Sequence, residues 1–206
     1  MSLLGLVGGN LYYGKVVNLI IYFTNWTILL TIVSLLYTIK VTKNPEFNSD
    51  ITQKALHHFM YTVCITWNFV VVLLYWTLLH PYILKAFQQE PDRVMEYILS
   101  ILSHSLPGIC CAINSFMTNT VLSKRLLIPM WCLYILYNTV NFAITKITGE
   151  PIYPFMHWKT VETPLIMLAL GLFFTVVFLC MCILDSAVKK DLAKKLKQQN
   201  DDKFQK

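Results

Sequence analysis

Apolar residues gather in five long runs along this chain, and polar residues gather between and after them. The runs cover 16–39, 58–79, 94–121, 126–147 and 163–184. Each matches or exceeds the ~20 residues a helix needs to cross about 30 Å of hydrocarbon. Backbone groups in lipid must be paired within their own segment, so each run is expected to be a helix. The third run is the longest, and tilt or a start in the interface accommodates it. The segments between runs are short and carry turn residues: TKNPEFNSD, HPYILKAFQQEPDR and TGEPIYPFMHW. Short connections make neighbouring helices antiparallel. The pattern predicts an all-α, polytopic membrane helical bundle of about five transmembrane helices. One domain spans 1–186, and a basic polar C-terminal tail follows at 187–206.

Composition sharpens this. The 206 residues are 56% hydrophobic and 14% charged, with a mean hydropathy of +0.54. One soluble core of this size could not hide so much apolar surface. The opening MSLLGLVGGNLY lacks a basic n-region, so it is read as mature chain forming a short interfacial segment rather than a sixth span. Charge then orients the bundle. With five spans, the side holding the 40–57 loop, the 122–125 loop and the tail carries 12 Lys/Arg, and the other side carries 5. The positive-inside rule places the C-terminus in the cytosol or matrix.

The lysines after the last span (Lys189, Lys190, Lys194, Lys195, Lys197) suit an anionic leaflet surface. Nothing else points to base recognition, so nucleic acid is not an expected partner. The final QQNDDKFQK reads as solvated. All six cysteines (Cys64, Cys110, Cys111, Cys132, Cys180, Cys182) fall inside spans without the spacing of a zinc site, and they read as small packing residues. Tyr12, Tyr13, Tyr22, Trp26, Tyr82, Tyr153 and Trp158 mark span ends, where rings usually anchor to the interface.

Candidate chemistry is sparse. Thr24 lies eight residues into span one and His104 ten residues into span three, both counted from the non-cytosolic side. At 1.5 Å per residue each sits roughly 12–15 Å along its helix, so the two side chains can share a level. A Thr hydroxyl is a nucleophile only beside a base, and His is the side chain best poised for that role near neutral pH. Thr in a helix commonly bonds back to the preceding turn instead. An ionisable group inside a span, such as His104, is costly and marks a functional site by default. Pro107 nearby frees backbone groups and makes room for a cavity. Asn25, or a further amide such as Asn114, is a candidate for supporting an oxyanion.

The other groups carry less. His57 and His58 begin span two at headgroup depth; His80 ends it, and His157 lies in the last loop. Pairing His104 with His80 or His157 on a haem iron lacks the inward His pairs that two stacked haems want, so neither cofactor nor metal is expected. Asp92, Glu96, Glu150 and Glu162 read as solvated loop charges, one of which could orient a histidine. There is no G-x-S-x-G elbow, P-loop, dinucleotide fingerprint or H-E-x-x-H.

Four segments together resemble the androgen-induced family of multi-pass membrane proteins, with rolling-stone-like features. They are YFTNWT in span one, HSLPG in span three, the stretch from SKRLLIPMW through TKITG, and EPIYPFMHW. The resemblance covers roughly residues 20–165. It implies intramembrane threonine hydrolysis of fatty-acid esters of hydroxy fatty acids, with Thr24 as nucleophile and His104 as general base. It also implies an endomembrane or cell-surface location, with a mitochondrial inner membrane still open. Membrane lipids and an acyl-ester substrate are the expected partners. Two other readings stand beside it: a non-catalytic accessory or structural subunit of a larger membrane complex, and a small transporter using His104 as a proton relay.

Overall fold

The computed structural model describes residues 21–44, 50–118, 120–153 and 155–204. The expected interfacial segment, the start of the first span, Tyr12 and Tyr13 lie outside the described residues. Within them the chain is all-α, with five helical stretches long and apolar enough to cross a membrane. The helices are α1 (Phe23–Lys43), α2 (Ile51–Leu74), α3 (His80–Gln89), α4 (Val94–Met117), α5 (Leu127–Thr148) and α6 (Glu162–Phe204).

The span borders differ instructively from the sequence pattern. Span two continues through a π-helical turn at Tyr75–Leu79 straight into α3, where a loop was expected from His80 onwards. Pro81 reads as a breaker, but the π-helical widening just ahead of it accommodates its ring and missing N–H, so the helix carries on into α3. The widened turn ahead of it closes with the His80 N–H on the Tyr75 carbonyl. Span four ends in a left-handed Gly149, φ 74°, whose N–H caps Thr145. Span five runs on without a break into the basic tail, and its backbone is helical as far as Phe204.

α2 occupies the centre. Tyr61 through Asn68 are all buried, as are Val70, Val71 and Tyr75, which is the mark of a helix covered on every side. α1, α4 and α6 pack against it. The remaining helices turn large apolar residues outward: Leu36, Leu99, Ile109, Ile135, Leu165 and Val176 are all more than half exposed. A surface of this kind is stable only against hydrocarbon. The protein is an integral, multi-pass membrane protein.

Without a hydrophobic drive between helices in lipid, close packing and polar contacts hold the bundle. Gly171 shows the first. A Cβ there would lie 2.5 Å from Trp131 Cη2 and 3.1 Å from Tyr134 Cε1, so α5 and α6 approach through the missing side chain. The indole is fixed by its Nε1–H bond to Thr175 Oγ1 at 3.0 Å. Gly171→Ala is therefore expected to cost about 1–3 kcal/mol of overpacking. Denaturant titration in detergent would show it, and Trp131→Leu in the same chain should recover part of the loss.

Polar contacts form the second element. Mid-bundle, Thr31 of α1, Cys64 and Asn68 of α2 and Cys111 of α4 meet. Asn68 Nδ2 donates to Thr31 Oγ1 (2.7 Å), Cys64 Sγ donates to Thr31 Oγ1 (3.5 Å), and the two sulfurs are 3.3 Å apart. Both thiols are free and buried, as is Cys182, whereas Cys132 and Cys180 face outward. At the Lys-rich end, Asp185 and Lys189 of α6 form a second group. Their ion pair spans 2.7 Å, with side chains only 9% and 13% exposed. Asp185 accepts from the Leu122 N–H (2.8 Å), and Lys189 donates to Tyr61 Oη (3.1 Å) and to the Thr120 carbonyl.

Candidate active site

Thr24 and His104 line the same cavity. It lies between α1, α2, α4, α5 and α6 towards the end of the bundle away from the lysines, and its volume is about 90 Å³. Phe23 and Thr24 enter from α1, Val71 and Leu74 from α2, Tyr75 from the π-helical turn that follows it, and His104 from α4. Tyr134, Tyr137 and Asn138 come from α5, Met167 and Phe174 from α6. Apart from the two candidate residues and these few polar tips, the wall is apolar.

Thr24 is buried, at 9% exposure, near the start of α1. Two tyrosines hold this end of the helix. Tyr153 Oη accepts the Phe23 N–H at 3.2 Å, and Tyr137 Oη donates to the Ile21 carbonyl at 3.2 Å. Tyr153 thereby satisfies an N–H that a helix start leaves unpaired, and Tyr137 ties down the carbonyl just ahead of the helix. The Phe23 ring packs at 4.9 Å on Trp67 and 4.8 Å on Tyr137, which fixes the rotation of α1 and with it the face carrying Thr24.

His104 is held on two sides. Its ring stacks on buried Tyr75, with centroids 4.1 Å apart and planes 13° from parallel. Its Nδ1 lies 2.7 Å from the Ser100 carbonyl. A carbonyl only accepts, so Nδ1 carries the proton and donates. In the neutral ring Nε2 is then the bare, basic nitrogen. Ser103 Oγ, 3.1 Å from Nδ1, donates to the same carbonyl at 3.0 Å. Tyr75 Oη in turn meets Ser100 Oγ at 3.2 Å, so ring and partner move together. The orienting acceptor is the helix's own backbone. Of the carboxylates considered from sequence, Glu96 is paired with Arg93 at 2.6 Å, and none is bonded to His104.

The loop between α5 and α6 roofs the cavity with Tyr153, Phe155 and Met156. Tyr153 was expected as an interfacial anchor; it is instead a wall residue. Burial pushes its hydroxyl above the ordinary phenol range, so it stays protonated near neutrality. Trp158 clamps this loop down. It is the one non-glycine residue with positive φ among the described residues, at 53°. Its N–H donates to Thr163 Oγ1 (3.1 Å), its Nε1–H to Asn141 Oδ1 (2.8 Å), and its carbonyl accepts from Lys146 Nζ (3.1 Å). A strained backbone of this kind persists because its surroundings over-determine it.

The amides expected to support an oxyanion are not at the wall. Asn25 neighbours Thr24 but does not line the cavity, and Asn114 sits ten residues beyond His104, towards the other end of α4. The amide that does line the cavity is Asn138: its Nδ2 donates to the Tyr134 carbonyl at 2.8 Å, while its buried Oδ1 has no partner among the described residues. Its inward position depends on the rotation of α5, which NTVNF alone does not reveal. The remaining histidines are engaged elsewhere or exposed. His57 meets Thr38 Oγ1 (3.1 Å), His58 the Val121 carbonyl (2.7 Å) and His80 the Tyr97 hydroxyl (3.1 Å), and His157 is exposed. Among the described residues no cluster of three or more His, Cys, Asp or Glu stands ready for a metal. No family model, no characterised protein and no solved structure matches this chain.

Proposed function

We propose that the protein is an intramembrane lipid-ester hydrolase with Thr24 as nucleophile and His104 as general base. One observation carries this reading. The two residues line one apolar cavity, and the Ser100 carbonyl holds the proton of His104 on Nδ1, leaving Nε2 basic. Thr24 Oγ1 attacks the ester carbonyl carbon while Nε2 takes its proton. The tetrahedral oxyanion collapses, the C–O bond to the alcohol breaks, and the alcohol oxygen leaves with the proton from Nε2. Water, deprotonated by the same nitrogen, then attacks the acyl-threonine carbonyl carbon; the bond to Thr24 Oγ1 breaks, Oγ1 takes the proton back from Nε2, and the acid is released. The second N–H of Asn138 and the Tyr153 hydroxyl are the wall donors for the oxyanion. The chemistry is that implied by the resemblance to the androgen-induced family.

The cavity limits what enters. At about 90 Å³ it is small beside the ~300–1,000 Å³ of sites that enclose a whole small ligand, which suits an ester group and not its chains. The chains therefore extend between helices towards the lipid, and the substrate is an amphiphile drawn from the bilayer. A fluorophosphonate that traps activated hydroxyls tests the proposal on protein in native-like lipid. Mass spectrometry should place the adduct on Thr24, and Thr24→Ala should abolish it. A folded, lipid-embedded sample that gives no adduct on Thr24 overturns the reading.

A further inference from the structure

A second and larger cavity lies at the Lys-rich end, between α2, α4 and α6. It measures about 840 Å³, within the ~300–1,000 Å³ range of small-ligand sites. Its walls are apolar, from Ile65 and Phe69 of α2, Ala112 and Phe116 of α4, and Met181 and Leu184 of α6. Phe116 is 77% exposed and Leu184 65%, so the rim faces hydrocarbon and the cleft opens sideways into the bilayer. Only its end near the membrane surface is polar, where Asp185, Lys189 and Lys190 border it.

The charges there do not cancel. Asp185 and Lys189 neutralise each other, and each has further bonds. Ser115 Oγ donates to Asp185 Oδ1 at 3.4 Å and the Leu122 N–H to Oδ2, while Lys189 spends its donors on Asp185, Tyr61 and Thr120. Lys190 is left over: it borders the same mouth, it is exposed, and it has no ion-pair or hydrogen-bond partner among the described residues. The turn Lys124–Leu126, which packs against α6, adds the exposed Lys124 and Arg125 at this end. The one carboxylate of the lining is already paired. Asp191, exposed beside Lys190, offsets one of these charges, and Lys124, Arg125 and Lys190 still leave this end net positive. An apolar slot of chain-like volume, open to lipid and positive at its mouth, matches one chemistry: an acyl chain attached to an anionic headgroup.

We propose that this cleft binds one anionic phospholipid, an acyl chain lying along α4 and α6 and its phosphate against Lys190. The site is separate from the Thr24–His104 cavity and does not depend on catalysis there. Bilayers holding equal phosphatidylglycerol and phosphatidylcholine, with identical chains, supply the probe, and native mass spectrometry of the released protein reads what is retained. Preferential retention of one phosphatidylglycerol is expected. Lys190→Gln should lower that preference about fivefold, with Lys124→Gln as a second charge variant on the neighbouring turn. Ala112→Trp, which fills the slot from an already exposed position, should remove the retained lipid of either class. Thermal midpoints of all three variants near that of the parent would show that folding is intact. Equal retention of the two lipids by the parent, or undiminished retention in Ala112→Trp, overturns the proposal. Displacement of the lipid by excess inorganic phosphate would mean a phosphate site without a chain, and overturns it too.

Discussion

His104→Asn is expected to lower lipid-ester turnover by about 10²–10⁴-fold, the usual worth of a positioned general base. The choice of Asn separates chemistry from packing. Its amide nitrogen can still donate to the Ser100 carbonyl in place of Nδ1–H, so the local contact to α4 survives. What it lacks is a basic atom at the position of Nε2. Loss of stacking on Tyr75 adds a modest packing cost, visible as a small fall in thermal midpoint. Turnover should fall without a comparable change in KM, because the base acts in the transition state rather than in binding. A variant that keeps parental turnover while folded removes the base from the mechanism. Thr24 labelling by the fluorophosphonate should fall in parallel, since in the proposed mechanism the same nitrogen activates the hydroxyl.

The largest stability effect is expected at the other end of the bundle. Asp185→Ala should cost about 3–5 kcal/mol, because it leaves the Lys189 ammonium buried without its counter-charge. It also strips the Leu122 N–H of its acceptor. Replacing both partners, as Asp185→Leu with Lys189→Met, should recover most of the loss, since the desolvation of both charges disappears together. Denaturant unfolding of the single and double variants in one detergent checks this. A single substitution costing under about 1 kcal/mol would mean that Lys189 finds water by snorkelling to the interface.

The helices were legible because lipid imposes one rule on them all: a run of about twenty apolar residues must pair its own backbone. The borders were less so. HPYILKAFQQ reads as a loop because of Pro81, yet a proline in the first turn after a π-helical widening lets the helix continue. That Thr24 and His104 could share a level was legible for a related reason. His104 is out of place in a span, and equal depth follows from a rise of 1.5 Å per residue. Whether two residues at one depth face each other depends on helix rotation. That rotation is set here by contacts such as Phe23 on Trp67 and Tyr137, and a single sequence does not encode them visibly. For the same reason Asn25 and Asn114 were plausible from spacing, while Asn138 and Tyr153 line the cavity. The acceptor that orients His104 is a main-chain carbonyl, which every residue possesses and no sequence motif distinguishes.

The mid-bundle meeting of Thr31, Cys64, Asn68 and Cys111 has a consequence beyond its own bonds. Aliphatic faces in a membrane slide past one another at little cost, because lipid tails are as good a neighbour as leucine. A polar layer is different. Moving α1 by one turn, about 5.4 Å, would withdraw Thr31 from Asn68, Cys64 and Cys111 and leave Asn68 Nδ2 only its bonds within α2, to the Cys64 carbonyl at 2.8 Å and to Cys64 Sγ. The layer therefore works as a vernier: it sets the axial registration of α1 against α2 and α4. Thr24 is seven residues, roughly two turns, before Thr31, and His104 is seven residues before Cys111. The same two helices, measured back from one notch, bring both residues to the same height.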